Sequence, residues 1–298
     1  MLDRVESQMR AWVDELENKT INKLFTALPK GKRLRAKLVL KVAGTSDESI
    51  KLAAVIEMIH AASLLHDDVI DDAMTRRGAK SLNATEGSKQ AVMMGDILYS
   101  KGFEELTSFK KEISSIVAGA VTKLSIGELM DVRLAQKFNS DVDVYLQMIY
   151  QKTAALIEAS ASSAAILAGK DERVYATYGR NLGIAFQIID DILDITSSSE
   201  QLGKPAMADF EEGKTTLPYI YLYDSLDEDG KAKLLSLHSV KLTEDQKVWI
   251  RKVMEDTGVL KEAYAYAKKL GDEAVTLMKS EGEDALADIV TAMIERDF

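Results

Sequence analysis

Helix-breaking residues are rare in this chain and lie far apart. The 298 residues include three prolines, Pro29, Pro205 and Pro218, each in or beside a polar stretch that contains glycine, where a helix would have to stop. Between these points the apolar residues recur with helical periodicity. Aromatic residues make up only 6% of the chain, and strand-rich proteins need more of them and more turns. The sequence therefore predicts an all-α fold.

The periodicity also predicts where the helices lie. Thr243 and Gln246 have the spacing of a capping box, and Gly169 and Gly258 stand where helices end or begin. No linker rich in proline, glycine or serine and no repeat of about 20–50 residues divides the chain, so residues 1–298 are expected to form a single domain, a bundle of about ten or more helices. The predicted helices cover residues 3–27, 32–43, 48–73, 88–108, 111–137, 141–168, 172–196, 218–226, 244–255 and 259–295.

Charge and cysteine content exclude several classes of protein. The formal net charge of −10 at pH 7 argues against binding to nucleic acid or to an anionic membrane surface, since both are negative. The absence of cysteine excludes disulfides and thiolate metal sites and fits a reducing compartment. Residues 1–19 are charged and amphipathic, unlike a signal peptide, and no run of about 18 apolar residues occurs. We therefore expect a cytoplasmic protein without a transmembrane segment or a nucleic-acid partner.

Two Asp-Asp-x-x-Asp motifs carry the strongest functional signal. Each follows an apolar pair, so each helix would be buried up to the point where its carboxylates begin, and the acids would line a cavity. Carboxylates that face one another across a helical bundle need cations, and oxygen donors without His or Cys select Mg²⁺, Mn²⁺ or Ca²⁺. Mg²⁺ typically takes one or two carboxylates, waters and substrate phosphates, which implies a phosphate ester as substrate. The motifs consist of Asp67, Asp68 and Asp71, and of Asp190, Asp191 and Asp194.

Basic residues accompany the acids as candidate diphosphate ligands. Gly31, Lys32 and Arg33 open a predicted helix, whose free N–H groups and dipole favour anions. His60 lies two helical turns before Asp67 on the same face, and both a core role and a site role stay open for it. His66 points elsewhere and is expected to be a core or boundary residue. The other candidates are Arg35, Arg76, Arg77, Lys152 with Thr153, Lys204 and Lys214.

In their order along the chain, these motifs resemble those of the trans-type polyprenyl diphosphate synthases. The resemblance runs from "GKRLRAKLVL" through "IHAASLLHDDVIDDAMTRRG", "MMGDIL", "QKTAAL", "GIAFQIIDDILD" and "LGKPAMADFEEGKTTLP" to "IERDF" and so covers nearly the whole chain. It implies the isoprenoid synthase fold, an all-α bundle around a central cavity. It also implies condensation of isopentenyl diphosphate with an allylic diphosphate, Mg²⁺ as cofactor with Mn²⁺ as a substitute, a homodimer, and hand-off of the product at a membrane.

The resemblance also assigns roles to individual residues. Isopentenyl diphosphate would be held by Lys32, Arg35, His60 and Arg77. The allylic diphosphate would be faced by Arg76, Lys152, Thr153, Gln187, Lys204 and Lys214. Its Mg²⁺ ions would be held by Asp67, Asp71 and Asp190, with Asp68, Asp191 and Asp194 close by. The catalytic set would then comprise these six aspartates with Lys152 and Lys204. The departing diphosphate is stabilised by metal and cationic groups and is the expected base for the proton lost at the end.

The residues just before the first motif bear on product length. Ala62 and Ser63 are small. In the family, large aromatic residues at these positions close the bottom of the pocket that holds the growing prenyl chain and so stop growth at short products. We therefore expect a long-chain, octaprenyl-like product, with geranylgeranyl diphosphate and a non-catalytic subunit of a heteromeric synthase as alternatives. Asp131 stands where glutamine is common in the family. Met207 stands where glycine is usual, although methionine avoids some of the backbone angles open to glycine.

Overall fold

A computed structural model describes residues 1–196 and 206–295. Their regular structure is almost entirely helical, which confirms the predicted fold class. The first helices are α1 (Leu2–Asp14), α2 (Lys19–Ala27), α3 (Leu34–Ala43), α4 (Asp47–Ile70), α5 (Leu82–Glu86), α6 (Ser88–Leu106), α7 (Lys111–Leu134) and α8 (Val142–Ile149). A π-helical turn (Tyr150–Ala154) then leads into α9 (Ala155–Ala168) and α10 (Glu172–Thr196). The later helices are α11 (Ala208–Glu211), α12 (Leu217–Ser225), α13 (Glu228–Ser236), α14 (Glu244–Thr257), α15 (Val259–Ser280) and α16 (Asp284–Ile294).

Several predicted helix boundaries are confirmed. The capping box is present, with Thr243 accepting from the backbone N–H of Gln246 and the Gln246 side chain accepting from that of Thr243. Gly169 and Gly258 have φ angles of +66° and +75° at helix ends, the left-handed region that glycine tolerates best. Met207 adopts the same region at φ +61°, so at this position methionine takes up backbone angles that favour glycine.

Other predictions of secondary structure were wrong in detail. The predicted helix 3–27 breaks before Asn18, whose side chain caps α2 by accepting from the backbone N–H groups of Thr20 and Ile21. The predicted helix 259–295 breaks near Gly282, at φ +74°. Helices α5 and α11 were missed because they are too short to show periodicity, and α13 was missed because its residues are mostly polar. A hairpin of β1 (Thr75–Arg76) and β2 (Ala79–Lys80) was also missed.

The chain divides into two compact units. The first comprises Met1–Val121 and Ala159–Ala176, and the second comprises Thr122–Glu158 and Thr177–Phe298. In the first unit, α4 packs against α1, α3 and α6, and its middle turns are fully buried. In the second unit, α12 packs against α14 and α15, and the rings of Phe210 and Tyr219 stack with centroids 4.1 Å apart. The expectation of a single domain over 1–298 stays a prediction.

Two described helices, α4 and α7, are long and apolar enough to cross a membrane by length and composition alone. In α4, 72% of the apolar window is buried inside the protein. The finding is weak evidence for a membrane span, because the buried core helix of a protein passes the same test. The expectation of a cytoplasmic protein without a transmembrane segment therefore stays a prediction.

Candidate functional site

The first acidic motif lies at the C-terminal end of α4 in the first unit. Asp67 is half-buried and Asp68 is only 3% exposed, whereas Asp71 and Asp72 are exposed. Asp71 is the C-cap residue, and Asp72 has a left-handed φ of +49°. The motif thus spans the point where the helix ends, and its second carboxylate is the one that points into the protein.

Asp68 holds the hairpin that follows the helix. Its Oδ1 accepts a hydrogen bond of 2.5 Å from Nε of Arg76, on β1. Burial raises the pKa of Asp68, and the charge of Arg76 partly offsets that rise. The side-chain amide of Asn83 donates to the carbonyl oxygens of Asp68 and Ala73, each at 3.0 Å. The chain from the helix end through the hairpin is therefore fixed by polar contacts, and the hairpin carries both Arg76 and Arg77.

An arginine cluster, formed by Arg33, Arg35, Arg76 and Arg77, surrounds His60 in the first unit. The guanidinium of Arg77 lies against Gly31, where a Cβ would be 2.4 Å from Nη1. Burial and the nearby charge of Arg77 lower the pKa of Arg35 to about 10, although the charge of Glu57 acts in the opposite direction. So many cations at one place repel one another, and an anion with several oxygen atoms would relieve that repulsion. Lys32 is exposed just before α3.

Glu57 organises this cluster, and the sequence analysis missed it. The N-cap residue of α3 is Arg33, which has a φ of +52° and makes no side-chain capping bond. In its place, Oε1 of Glu57 accepts from the backbone N–H of Ala36 at 2.9 Å, and Oε2 accepts from Nη1 of Arg33 at 3.2 Å. Glu57 is only 2% exposed. An acid amid the apolar run of α4, three residues before His60, was the signal that could have found it.

His60 lies within the arginine cluster and acts as an acceptor there. Nη1 of Arg35 is 3.2 Å from its Nε2. Burial and the charges of the four arginines hold the pKa of His60 well below 6.5, so the ring is neutral at pH 7 and Nε2 can accept from Arg35. His60 thus belongs to the polar cluster, and its role in substrate binding stays a prediction. His66 instead bonds the carbonyl oxygen of Val92 and packs against Tyr99.

We expect the free energy of unfolding to fall as the pH drops below about 6.5, in part because of His60. In the unfolded chain the pKa of His60 returns to about 6.5. Between that value and the lower folded pKa, only the unfolded chain takes up the proton. The contribution of neutral His60 to the free energy of unfolding is therefore fully present above about pH 6.5. It is lost as the pH falls toward the pKa that His60 has in the folded protein. The His60 contribution between pH 7.5 and 5.5 is expected to be about 1 kcal/mol.

Urea unfolding at the two pH values measures this contribution. His60→Gln should lose about 1 kcal/mol less than the wild type when the pH is lowered from 7.5 to 5.5. Ser49→Ala, on the same helix, removes a hydroxyl bonded to the carbonyl oxygen of Gly44 and no titratable group, so it is the matched control and should keep the wild-type difference. An unchanged pH dependence in His60→Gln would contradict a neutral, buried His60.

The second acidic motif lies on α10 in the second unit and has a similar division of roles. Asp190 is exposed, whereas Asp191 and Asp194 are buried. Asp191 accepts hydrogen bonds from Oη of Tyr145 at 2.5 Å and from Nε2 of Gln187 at 2.8 Å. Burial raises the pKa of Asp191 well above its usual value. Of the two adjacent aspartates, the second is again the buried one and is bonded to neighbouring side chains.

Lys152 stands on the π-helical turn between two buried acids. Its Nζ donates to Asp131 at 2.5 Å and forms an ion pair with Glu128 at 2.9 Å. Burial alone would lower the pKa of Lys152, but the charges of Asp131 and Glu128 outweigh burial and raise it. Gly127 permits this close approach, because a Cβ there would be 2.3 Å from the Lys152 backbone nitrogen. Asp131, where the family usually has glutamine, is therefore a direct partner of Lys152.

A cavity of about 160 Å³ in the second unit gathers most of the residues predicted to face the allylic diphosphate. Within it, the Thr153 hydroxyl donates to Oε1 of Gln187 at 2.8 Å. Lys214 forms an ion pair of 2.8 Å with Glu212. Lys204 lies outside the described residues. The predicted members that line the cavity are Lys152, Thr153, Gln187, Asp191 and Lys214.

The carboxylates fit a hard divalent cation by their chemistry. Among residues 1–196 and 206–295, no group of three or more His, Cys, Asp or Glu side chains could hold a metal ion. Asp68 and Asp191 are engaged by Arg76 and by Tyr145, and Asp71 and Asp190 are exposed. Mg²⁺ needs only one or two carboxylates when waters and substrate phosphates complete its shell, so these residues fit it.

Comparison with known proteins identifies the family. The model of the polyprenyl synthetase family matches residues 18–257. The chain belongs to the polyprenyl synthetase family. This polyprenyl synthetase is 33% identical over 285 residues to the short chain isoprenyl diphosphate synthase of Methanothermobacter thermautotrophicus, covering 90% of this chain and 87% of that protein. The resemblance read from the motifs is thereby confirmed, and the chain is a prenyltransferase.

Solved structures agree with that assignment. The octaprenyl pyrophosphate synthase from Helicobacter pylori superposes with a TM-score of 0.95 at 40% identity, covering 99% of this polyprenyl synthetase and 98% of that chain. A polyprenyl synthase from Caulobacter crescentus, crystallised with calcium and isoprenyl diphosphate, superposes with a TM-score of 0.83 at 29% identity, covering 100% and 98% of the two chains. The fold is therefore that of the isoprenoid synthases. These relatives are named for products of different chain lengths.

Proposed function

We propose that this enzyme condenses isopentenyl diphosphate with an allylic diphosphate such as farnesyl diphosphate and makes a long-chain, octaprenyl-like all-trans product. The observation that carries the proposal is the arginine cluster around neutral His60. Guanidinium groups bind phosphate oxygens in pairs, and this cluster has more arginines than its neighbouring acids, Glu6, Glu57 and Asp68. In this assignment isopentenyl diphosphate binds Lys32, Arg35, His60 and Arg77.

The allylic diphosphate binds at the cavity of the second unit. Lys152, Thr153, Gln187 and Lys214 line that cavity, and Lys204 and Arg76 complete the proposed set. Asp67, Asp71 and Asp190 would hold Mg²⁺, or Mn²⁺ in its place. When bound, the metal neutralises charge on the leaving diphosphate. Calcium with isoprenyl diphosphate in the Caulobacter enzyme supports a divalent cation at this site.

The residues of the chain orient the reacting groups and stabilise the leaving group. The C1–O bond of the allylic diphosphate breaks, and both electrons leave with the diphosphate, whose new charge meets Lys152 and Lys214. The double bond of isopentenyl diphosphate supplies the electron pair of the new carbon–carbon bond. The proton next to the resulting cation passes to the released diphosphate, so the double bond re-forms without a protein base. Leu134, Met148 and Ile149 also line the cavity, and apolar side chains of this kind would keep water from the cation.

Small side chains just before the first acidic motif support the long product. Ala62 and Ser63 are buried on α4, one turn before Asp67, and the Ser63 hydroxyl donates to the carbonyl oxygen of His60 at 2.9 Å. The similarity to the Helicobacter octaprenyl enzyme favours this length. Geranylgeranyl diphosphate is the second candidate product, favoured by the similarity to an archaeal short chain synthase. We further propose a homodimer in the cytoplasm that hands its product to a membrane.

Incubation of the purified chain with Mg²⁺, farnesyl diphosphate and isopentenyl diphosphate tests the function. We expect turnover by the chain alone, with mass spectrometry showing products beyond the geranylgeranyl length. Growth that ends at geranylgeranyl diphosphate would favour the second candidate. Activity that appears only after a second polypeptide is added would identify a subunit of a heteromeric synthase.

We expect Ala62→Phe to shorten the product without abolishing turnover. The larger ring would occupy the pocket one turn before Asp67, where the growing tail would pass. Ala61→Phe, at the half-buried neighbouring position, is the control and should leave the product length unchanged. Overpacking costs about 1–3 kcal/mol, so thermal unfolding should accompany the product analysis. A folded, active Ala62→Phe enzyme with the wild-type product would contradict the role of Ala62.

A further inference from the structure

His238 contacts both neighbours of Lys214 in the second unit. The residue follows α13, and its Nε2 is 2.7 Å from the carbonyl oxygen of Gly213 and 3.3 Å from Oγ1 of Thr215. A carbonyl oxygen can only accept, so Nε2 carries a hydrogen and donates it to Gly213. His238 thus fixes the backbone on one side of Lys214 and contacts the Thr215 hydroxyl on the other.

The orientation of the His238 ring is set by its surroundings. The rings of Phe138 and Phe210 each meet it edge-on, with centroids 5.4 and 5.5 Å away. The backbone N–H of Ser239 donates to the carbonyl oxygen of Phe210 at 3.2 Å. Burial lowers the pKa of His238, which favours the neutral ring at pH 7. The hydrogen on Nε2 is therefore directed at Gly213 before any substrate arrives.

The segment that His238 holds has little room to move. Gly213 has a φ of +88°, and a Cβ there would be 2.4 Å from the carbonyl oxygen of Ala135, just after α7. The backbone N–H of Lys214 donates to the carbonyl oxygen of Asp209 at 2.8 Å, and that of Asn139 to Oγ1 of Thr215 at 3.3 Å. Lys214 itself lines the cavity that also contains Lys152 and Gln187, whereas His238 does not.

We propose that His238 is a positioning residue that fixes the Lys214 ammonium in the cavity for the allylic diphosphate. A lysine side chain is long and flexible, so its reach depends on where its backbone is held. Loss of the bond to Gly213 would let the segment shift, and small displacements of a binding group weaken binding disproportionately. The proposal rests on the proposed function, because it takes Lys214 as a ligand of that diphosphate.

His238→Phe is the decisive variant, because it keeps an aromatic ring between Phe138 and Phe210 but has no donor for Gly213. We expect its KM for farnesyl diphosphate to rise about tenfold while its KM for isopentenyl diphosphate changes less than about twofold. His238→Gln retains an N–H donor and should recover most of the loss. Ser236→Ala is the matched control, since its hydroxyl bonds only the nearby carbonyl of Lys233 among the described contacts.

Hydrogen exchange separates this inference from the proposed function. In His238→Phe the amides of residues 213–217 should exchange faster than in the wild type, and in Ser236→Ala they should not. Unchanged exchange would overturn the inference even if the wild-type chain made no prenyl product. Equal rises in both KM values would also overturn it, because they would indicate a general structural role. Failure of the wild-type chain to condense the two diphosphates would instead overturn the proposed function.

Discussion

Asp67→Ala should lower kcat by about 10²–10³-fold, whereas Asp72→Ala should change it less than about threefold. Asp67 is half-buried on the last turn of α4, and Asp71 lies four residues on, at the C-cap, so both carboxylates stand on one side of the helix end where the metal site is proposed. Asp72 is exposed and has turned out of the helix at φ +49°. The two substitutions remove the same charge and differ only in where it stands.

Steady-state rates measured across a range of Mg²⁺ concentrations check this prediction. Asp67→Ala should also need more Mg²⁺ for half-maximal rate, while Asp72→Ala should follow the wild-type curve. Circular dichroism shows whether both variants keep the wild-type helix content. Equal losses of kcat in the two variants would mean that the wrong face of α4 has been assigned to the metal.

Lys152→Met should lower the free energy of unfolding by about 3 kcal/mol and abolish condensation. The substitution leaves Glu128 and Asp131, which are 7% and 6% exposed, side by side without their cation. Two buried like charges repel each other and have lost their hydration, so the folded state bears the cost. Thermal and urea unfolding measure the stability, and product formation measures the activity.

The triple variant Lys152→Met with Glu128→Gln and Asp131→Asn separates the two effects. It removes the uncompensated charges and should regain most of the stability, yet remain inactive because the Lys152 ammonium no longer meets the diphosphate. Lys214→Met is the control for stability. Its partner Glu212 has a side chain 52% exposed, so loss of that ion pair should cost at most about 1 kcal/mol. A Lys152→Met variant as stable as Lys214→Met would contradict the buried triad.

The fold was largely predictable because a helix shows itself as a periodic pattern of apolar residues that lie close together in the sequence. Long helices such as α4 and α10 and the capping box at Thr243 were predicted from residues a few positions apart. The break at Asn18 and the short helix α13 were missed, because a single capping side chain barely alters the apolar pattern and the residues of α13 are mostly polar. Irregular turns such as the π-helical turn at Lys152 depend on packing against other elements, which local sequence does not record.

The site was predictable in its residue types but not in its contacts. The two Asp-Asp-x-x-Asp motifs and the basic residues could be named because their chemistry is visible in the sequence. Their partners could not be named, because Asp131 is 21 residues from Lys152 and Tyr145 is 46 residues from Asp191. Glu57 and His238 were missed for the same reason, since each acts on a segment 21 or more residues away.

The sequence by itself determined an all-helical chain, and it predicted oxygen ligands for a hard cation and cationic groups for diphosphates. Only the tertiary structure decided which of the two adjacent aspartates in each motif is buried. In both pairs it is the second, Asp68 bonded to Arg76 and Asp191 bonded to Tyr145 and Gln187. Adjacent aspartates are chemically identical, so their roles differ only through the side chains that packing brings to each one. Burial and partners of that kind arise from contacts between distant parts of the chain.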